Sequence, residues 1–179
     1  MNLPNRLTLL RILLIPLCLV LVVLGLNVLA GVVFIIAALT DFLDGYIARR
    51  DKLVTNFGKF ADPVADKILA LCVMIVLIPY AGYPWWAVAI VAARELAVDG
   101  LRLVAVEQGI VIAAGKLGKV KTNLQFFSII SALFMLPHAL TLTLCLLMGA
   151  LTILSGAQYF MASRALFQQD VRGNRPGAE

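Results

Sequence analysis

The sequence predicts an all-α integral membrane protein: one bundle of six transmembrane helices with a polar cavity facing the cytoplasm. Three observations predict it. Of 179 residues, 62% are hydrophobic and only 14% charged, and the mean hydropathy of +0.98 lies well above that of soluble domains. Apolar runs approaching the roughly 20 residues a spanning helix needs recur six times, separated by short turn-like stretches. Finally, the stretches 25–28, 80–84 and 136–139 contain no Lys or Arg, and all fifteen basic residues fall on the other side or in the half-spans leading to it. By the positive-inside rule that side is cytoplasmic, and both ends of the chain lie there. The net charge of +5 therefore belongs to a membrane face, with lipids and not nucleic acid as its surroundings.

The first span is expected at 7–26. Arg6 and Arg11 precede its apolar core, and "NVLAG" offers small residues for signal cleavage. The apolar run nevertheless passes almost directly into the next, so the segment is read as a retained helix. After the turn at Gly25-Leu-Asn27 the second span covers 28–48. The third, 62–80, opens on Asp62-Pro63, an N-cap followed by Pro at the first helical position. "YAGYP" at 80–84 leads to the fourth span, 85–106, with Tyr80, Tyr83, Trp85 and Trp86 as an aromatic anchor at the outer interface. A basic loop, "GKLGKVKT", precedes the fifth span at 124–136, which extends on its cytoplasmic side. "LPH" then turns the chain into the sixth, 139–166. Residues 1–167 make a single transmembrane catalytic domain, and 168–179 a polar tail. Cys18, Cys72 and Cys145 lie far apart in apolar runs, without metal-ligand spacing, and are read as free buried thiols.

The charge pattern breaks at "DFLDGYIARRDKLVTNFGKFADPVADK", residues 41–67, which holds five of the ten acidic residues. Asp41 and Asp44 are three apart on the second span; Asp62 and Asp66 are four apart on the third. Either spacing puts two side chains on one helical face. With 1.5 Å rise per residue and a start near Gly58, Asp62 and Asp66 lie about 6 and 12 Å inward, and Asp41 and Asp44 match that depth. Ionised carboxylates there require a water-accessible cavity. A bare cluster of four would repel itself, whereas hard divalent cations such as Mg²⁺ or Mn²⁺ neutralise it and commonly take substrate phosphates as further ligands.

Gly45 and Ala48 leave a smooth helix surface beside these carboxylates, Gly58 does the same on the other side, and Arg49 is placed to meet an anion. The blander alternatives are that Asp62 only caps a helix, that Asp51 is solvated in a basic loop, and that neighbouring Arg and Lys residues neutralise the aspartates without metal. Farther on, Glu95, Asp99 and Arg102 share a narrow stripe of the fourth span, consistent with an internal ion-pair network. Arg94 points about 100° away from Glu95, with no i±4 partner. Together with Lys116, Lys119, Lys121 and Thr122 it makes a basic pocket for a phosphomonoester, to which Arg102 is a further candidate. The plain alternative is that the lysines contact anionic headgroups. His138 reads as an ordinary residue of the outer turn.

The pattern D41-x-x-D44-G45-x-x-A48-R49-x8-G58-x3-D62-x3-D66 resembles the signature of the CDP-alcohol phosphatidyltransferase family, with every motif position filled. "NLPNRLTLLR", "ARELAVDGLR" and "GKLGKVKTNLQ" resemble the flanks of members that use glycerol 3-phosphate, and the resemblance extends from Asn2 to Gln125. It implies a membrane transferase of phospholipid biosynthesis in which an acceptor hydroxyl attacks the lipid-linked phosphate of CDP-diacylglycerol and CMP leaves. It also implies two divalent metal ions on Asp41, Asp44, Asp62 and Asp66, with Asp66 as general base. Gly45, Arg49 and Thr55 would contact the CDP-lipid, Asn5 and Thr8 would stand at the cavity wall, and the enzyme would be a homodimer. sn-Glycerol 3-phosphate is the expected acceptor; inositol phosphate, serine or phosphatidylglycerol are the alternatives within the family. A divalent-cation carrier is the alternative outside it, disfavoured because the outer ends of all six spans carry no charge. Gly45→Val should leave folding intact, since glycine is itself a poor helix former, yet block approach of the nucleotide. Unchanged CDP-diacylglycerol affinity in a folded variant would remove Gly45 from the site.

Overall fold

The computed structural model describes residues 3–50, 56–107 and 115–163; within these, side chains are described for 7–40, 64–106, 115 and 117–163. Six helices follow one another: α1 (Leu3–Val23), α2 (Asn27–Arg50), α3 (Asn56–Ala81), α4 (Trp85–Glu107), α5 (Lys116–Leu133) and α6 (His138–Ala162). No strand occurs among the described residues. Segments α3, from Val64 to Ala81, and α6 are long and apolar enough to cross a membrane, while Leu7–Val23 and Asn27–Thr40 are shorter apolar helices.

Helix α1 packs along α2 and α3, α6 packs along α5 and α4, and α3 touches α1, α2, α4 and α5. The core runs through Cys18, Val22, Phe34, Val73, Met74, Leu77, Ile129, Leu133 and Met148. Gly31 marks its tightest crossing: a Cβ there would stand 2.6 Å from the Phe134 ring. Arg11, fully buried on α1, donates through Nε to the Ala37 carbonyl at 3.3 Å. That bond holds α2 against α1 one turn before Asp41.

Two turns at the same end of the bundle share one design. The Leu26 N–H bonds the Leu21 carbonyl and the Gly25 N–H the Val22 carbonyl; Leu136 and Met135 repeat this with Ser131 and Ala132. These are Schellman caps, whose C′ residue takes the left-handed region that favours glycine. Gly25 has φ 75°, and Met135, at the equivalent place, has φ 53° despite its side chain.

The expected element order holds, with four differences. α3 begins at Asn56, six residues before Asp62, so Asp62-Pro63 lies inside the helix and does not cap it. Asp62 and Asp66 then stand about 9 and 15 Å along it from its start. α5 begins at Lys116, so "GKLGKVKT" is its first two turns and not a loop; its lysines mimic a solvated segment, but Lys121 is buried and paired across helices. Tyr83 is 2% exposed, with its hydroxyl 2.6 Å from Ser128 Oγ, so it turns inward and only Tyr80 and Trp85 stay open. Burial pushes its phenol well above the usual range, which keeps the hydrogen-bonding proton in place. Finally, α6 ends at Ala162, short of the expected 166. The three cysteines are free, with Cys18 and Cys145 buried and Cys72 half-buried, and His138 is the exposed first residue of α6. The tail 168–179 lies outside the described residues.

Gly31→Val should lower the melting temperature in detergent. Its propensity gain over glycine is below about 1 kcal/mol, whereas overpacking a filled core costs about 1–3 kcal/mol. Adding Phe134→Leu should recover most of the loss. Equal melting temperatures for wild type and the single variant would show that the Phe134 ring yields freely.

Candidate active site

A cavity of about 240 Å³ opens between α2, α3, α4, α5 and α6. Its polar wall is made by Asp66 and Lys67 of α3; Arg94, Glu95, Asp99 and Arg102 of α4; Lys119, Lys121 and Gln125 of α5; and Tyr159 of α6. Five cationic and three carboxylate side chains line it, a surplus of two positive charges.

Glu95 organises the wall. Its Oε1 accepts from Lys121 Nζ at 2.6 Å and Arg94 Nη1 at 3.0 Å, and its Oε2 lies 3.4 Å from Lys67 Nζ. Lys67 also donates to both carboxylate oxygens of Asp99. One acidic stripe on α4 is thus tied to α3 and α5. The i, i+4 spacing of Glu95 and Asp99 puts them on one face, and their cations arrive from other helices. Lys121 is 2% exposed; a lone ammonium so buried would be expensive to keep charged, and Glu95 resolves this.

Arg94, expected to have no i±4 partner, pairs instead with its immediate neighbour Glu95. Arg102, expected in the stripe network, makes no ion pair with a carboxylate among the described residues. Instead its Nη2 donates to the Tyr159 hydroxyl at 3.0 Å, which also accepts the Gly115 N–H at 3.2 Å. Both guanidinium carbons stand near the Tyr159 ring centroid, Arg94 at 5.2 Å and Arg102 at 5.5 Å. The Nε of each arginine is buried and has no hydrogen-bond partner among the described residues.

Of the sequence-predicted residues, the structure brings Asp66, Arg94, Arg102, Lys119, Lys121 and Thr122 onto one cavity wall. Thr8 is fully buried on α1 and does not line this cavity. Thr55 lies outside the described residues. So do the side chains of Asn5, Asp41, Asp44, Ala48, Arg49, Asp62 and Lys116, but the backbones of these seven, and of Gly45 and Gly58, are helical. Asp41 and Asp44 therefore stand about one turn apart on α2, and Asp62 and Asp66 one turn apart on α3. Among described side chains no three His, Cys, Asp or Glu residues converge. Sequence reasoning missed Tyr159, whose signal was slight: a hydroxyl-bearing aromatic near the end of an otherwise apolar span.

The chain matches the family described as CDP-alcohol phosphatidyltransferase over residues 1–163, and it belongs to that family. The match runs through α6, well past the Gln125 limit of the motif resemblance. Curated relatives agree. The CDP-diacylglycerol–glycerol-3-phosphate 3-phosphatidyltransferase of Bacillus subtilis (strain 168) is 42% identical, covering 89% of this chain and 93% of its own. The protein of the same name from Rickettsia typhi is 36% identical over 93% of this chain and 99% of its own. A probable phosphatidylglycerophosphate synthase of Mycobacterium tuberculosis (strain H37Rv) is 36% identical over 99% and 87%.

Glu95→Gln should lower thermal stability. Removing one partner of a buried ion pair costs about 3–5 kcal/mol, and the lower end applies because the cavity admits water. The melting temperature in detergent should fall, and more steeply at low salt. A variant as stable as wild type would mean that Glu95 is not what holds α3, α4 and α5 in register.

Proposed function

We propose that this chain catalyses phosphatidylglycerophosphate synthesis, transferring the phosphatidyl group of CDP-diacylglycerol to sn-glycerol 3-phosphate and releasing CMP. One observation carries the reading beyond family membership: Asp66 and four candidate phosphate-binding cations line the same small cavity. Its two surplus positive charges suit a phosphomonoester, which carries about −1.5 to −2 at neutral pH. Its volume falls below the roughly 300–1,000 Å³ of sites for drug-sized ligands. That favours a small acceptor, with the nucleotide-lipid bound elsewhere.

In the proposed reaction a free hydroxyl oxygen of the acceptor attacks the phosphorus that carries diacylglycerol. A new P–O bond forms, the P–O bond to CMP breaks with its electron pair, and the hydroxyl proton passes to Asp66. Arg94, Arg102, Lys116, Lys119 and Lys121 hold the acceptor's phosphate. Gly45, Ala48, Arg49, Thr55 and Gly58 seat the CDP-lipid, with Asn5 on α1; Thr8, fully buried, does not reach it. Asp41, Asp44, Asp62 and Asp66 are an all-oxygen donor set of the kind that suits Mg²⁺ or Mn²⁺. Two such ions bound there would polarise the diphosphate and neutralise charge on the leaving CMP.

The proposed setting is the cytoplasmic membrane, with six spans and the cavity and both chain ends on the cytoplasmic side. Large apolar side chains stand exposed on every helix, among them Leu13, Leu39, Ile75, Leu96, Phe127 and Ile153. Apolar cover all around a bundle suits lipid and would be an aggregation hazard in water. A homodimer is retained on family resemblance.

The test is purified protein with CDP-diacylglycerol, either metal and a panel of acceptors, read by CMP release. Turnover should require glycerol 3-phosphate and stop on chelation. Asp66→Asn should reduce it at least about 100-fold, as loss of a general base does, while much CDP-lipid binding survives. Robust release only with another acceptor would sink the acceptor assignment, and near-normal turnover by Asp66→Asn would sink the base.

A further inference from the structure

Tyr159 is the one polar residue that α6 contributes to the described cavity wall, and it is 6% exposed. Its hydroxyl accepts two hydrogen bonds, from Arg102 Nη2 and the Gly115 N–H, which is the full acceptor capacity of a phenol oxygen. Its ring lies within the roughly 6 Å reach of a cation–π contact for both Arg94 and Arg102. These arginines are eight residues apart on α4, about 12 Å along its axis, so α4 alone does not bring their guanidinium groups together. Tyr159, reaching in from α6, is within contact range of both.

Two like charges gathered at one ring call for an anion. Glu95 takes only Nη1 of Arg94, and Arg102 has no carboxylate partner among the described residues. The buried Nε of each has no hydrogen-bond partner there either, although an unsatisfied buried donor is costly. Arginine offers planar, multiply donating recognition of phosphate oxygens, and both arginines line the cavity. We propose that Tyr159 is a positioning residue that gathers Arg94 and Arg102 into one guanidinium seat for the acceptor's phosphomonoester, and so makes the enzyme select phosphorylated over unphosphorylated polyols. This rests on the phosphatidyl-transfer reading given above.

The diphosphate of the CDP-lipid offers the same phosphoryl chemistry, so the two sources must be separated. Tyr159→Phe keeps the ring and removes the Arg102 anchor; Tyr159→Leu removes both. The KM for glycerol 3-phosphate should rise about tenfold in the first, as fits loss of one hydrogen bond to a charged group, and further in the second. The kcat at saturating acceptor and the KM for CDP-diacylglycerol should stay within about threefold. The preference for glycerol 3-phosphate over glycerol should fall in parallel. A KM rise confined to CDP-diacylglycerol would overturn the proposal, as would an unchanged acceptor KM or a loss of kcat tracking a fall in melting temperature. Wild-type protein that releases no CMP with any phosphorylated acceptor would instead refute the underlying reading. Calorimetric titration with glycerol 3-phosphate then decides Tyr159 by itself: weaker binding to Tyr159→Phe than to wild type supports the seat, and equal or absent binding overturns it.

Discussion

The ion cluster at Glu95 is the constraint on which the polar half of this bundle depends. A cavity with five cationic side chains must restrain their mutual repulsion in a poorly screened interior. Glu95 and Asp99 do so from α4 by engaging Lys67 of α3, Arg94 of α4 itself and Lys121 of α5. The same bonds set geometry. Tethering Lys67 to α4 fixes the rotation of α3, and Asp66, about 100° around the helix, is thereby held on the cavity wall. Two carboxylates satisfy three cations and leave Arg102 and Lys119 without a carboxylate partner among the described residues. Structural neutralisation and an open demand for an anion come from one arrangement.

The opposite end is built by different means. No charge reaches the turns at Gly25, Gly82 and Met135, and two of these turns close their helices with Schellman bonds. Buried hydroxyls hold the neighbouring layer together: Tyr83 with Ser128, and Ser131 with Thr141 at 2.8 Å. Side-chain hydrogen bonds between helices in apolar surroundings contribute only modestly each, about 0.6 to 2 kcal/mol. They orient the helices without opening a water path. The asymmetry fits an enzyme whose soluble substrate arrives from one side, and it disfavours a route for ions across the bundle.

Much of this was legible because it follows from one-dimensional patterns. Apolar runs, chargeless turns and the one-sided placement of Lys and Arg yield the helix order with ends off by a few residues, since each depends only on local composition. The four aspartates and their glycines stand out because carboxylates amid apolar sequence need a reason. The errors share a different cause. Lys116–Thr122 reads as a loop until Lys121 is seen meeting Glu95 across helices. Tyr83 looks like an interfacial anchor until Ser128 is placed beside it. Arg102 was given partners by helical spacing, which cannot show that Tyr159 and Gly115 complete the wall. Contacts between helices far apart in sequence leave no periodic trace in either one.

The division of labour inside the cavity follows from which charges are already spent. Lys121 and Lys67 are paired at short range with Glu95 and Asp99 and so also hold the wall. Arg94 shares its carboxylate with both and keeps donors in reserve. Arg102 is anchored by a neutral hydroxyl, which leaves its full charge available. Lys119 is exposed, where a charge also raises the local concentration of an approaching anion. On the proposed reading, the acceptor dianion would enter past Lys119 and rest between the two arginines, on the wall that also carries Asp66. The proposed phosphate seat and the proposed base would then serve one small acceptor, because the ion cluster beside them locks α3 and α4 together.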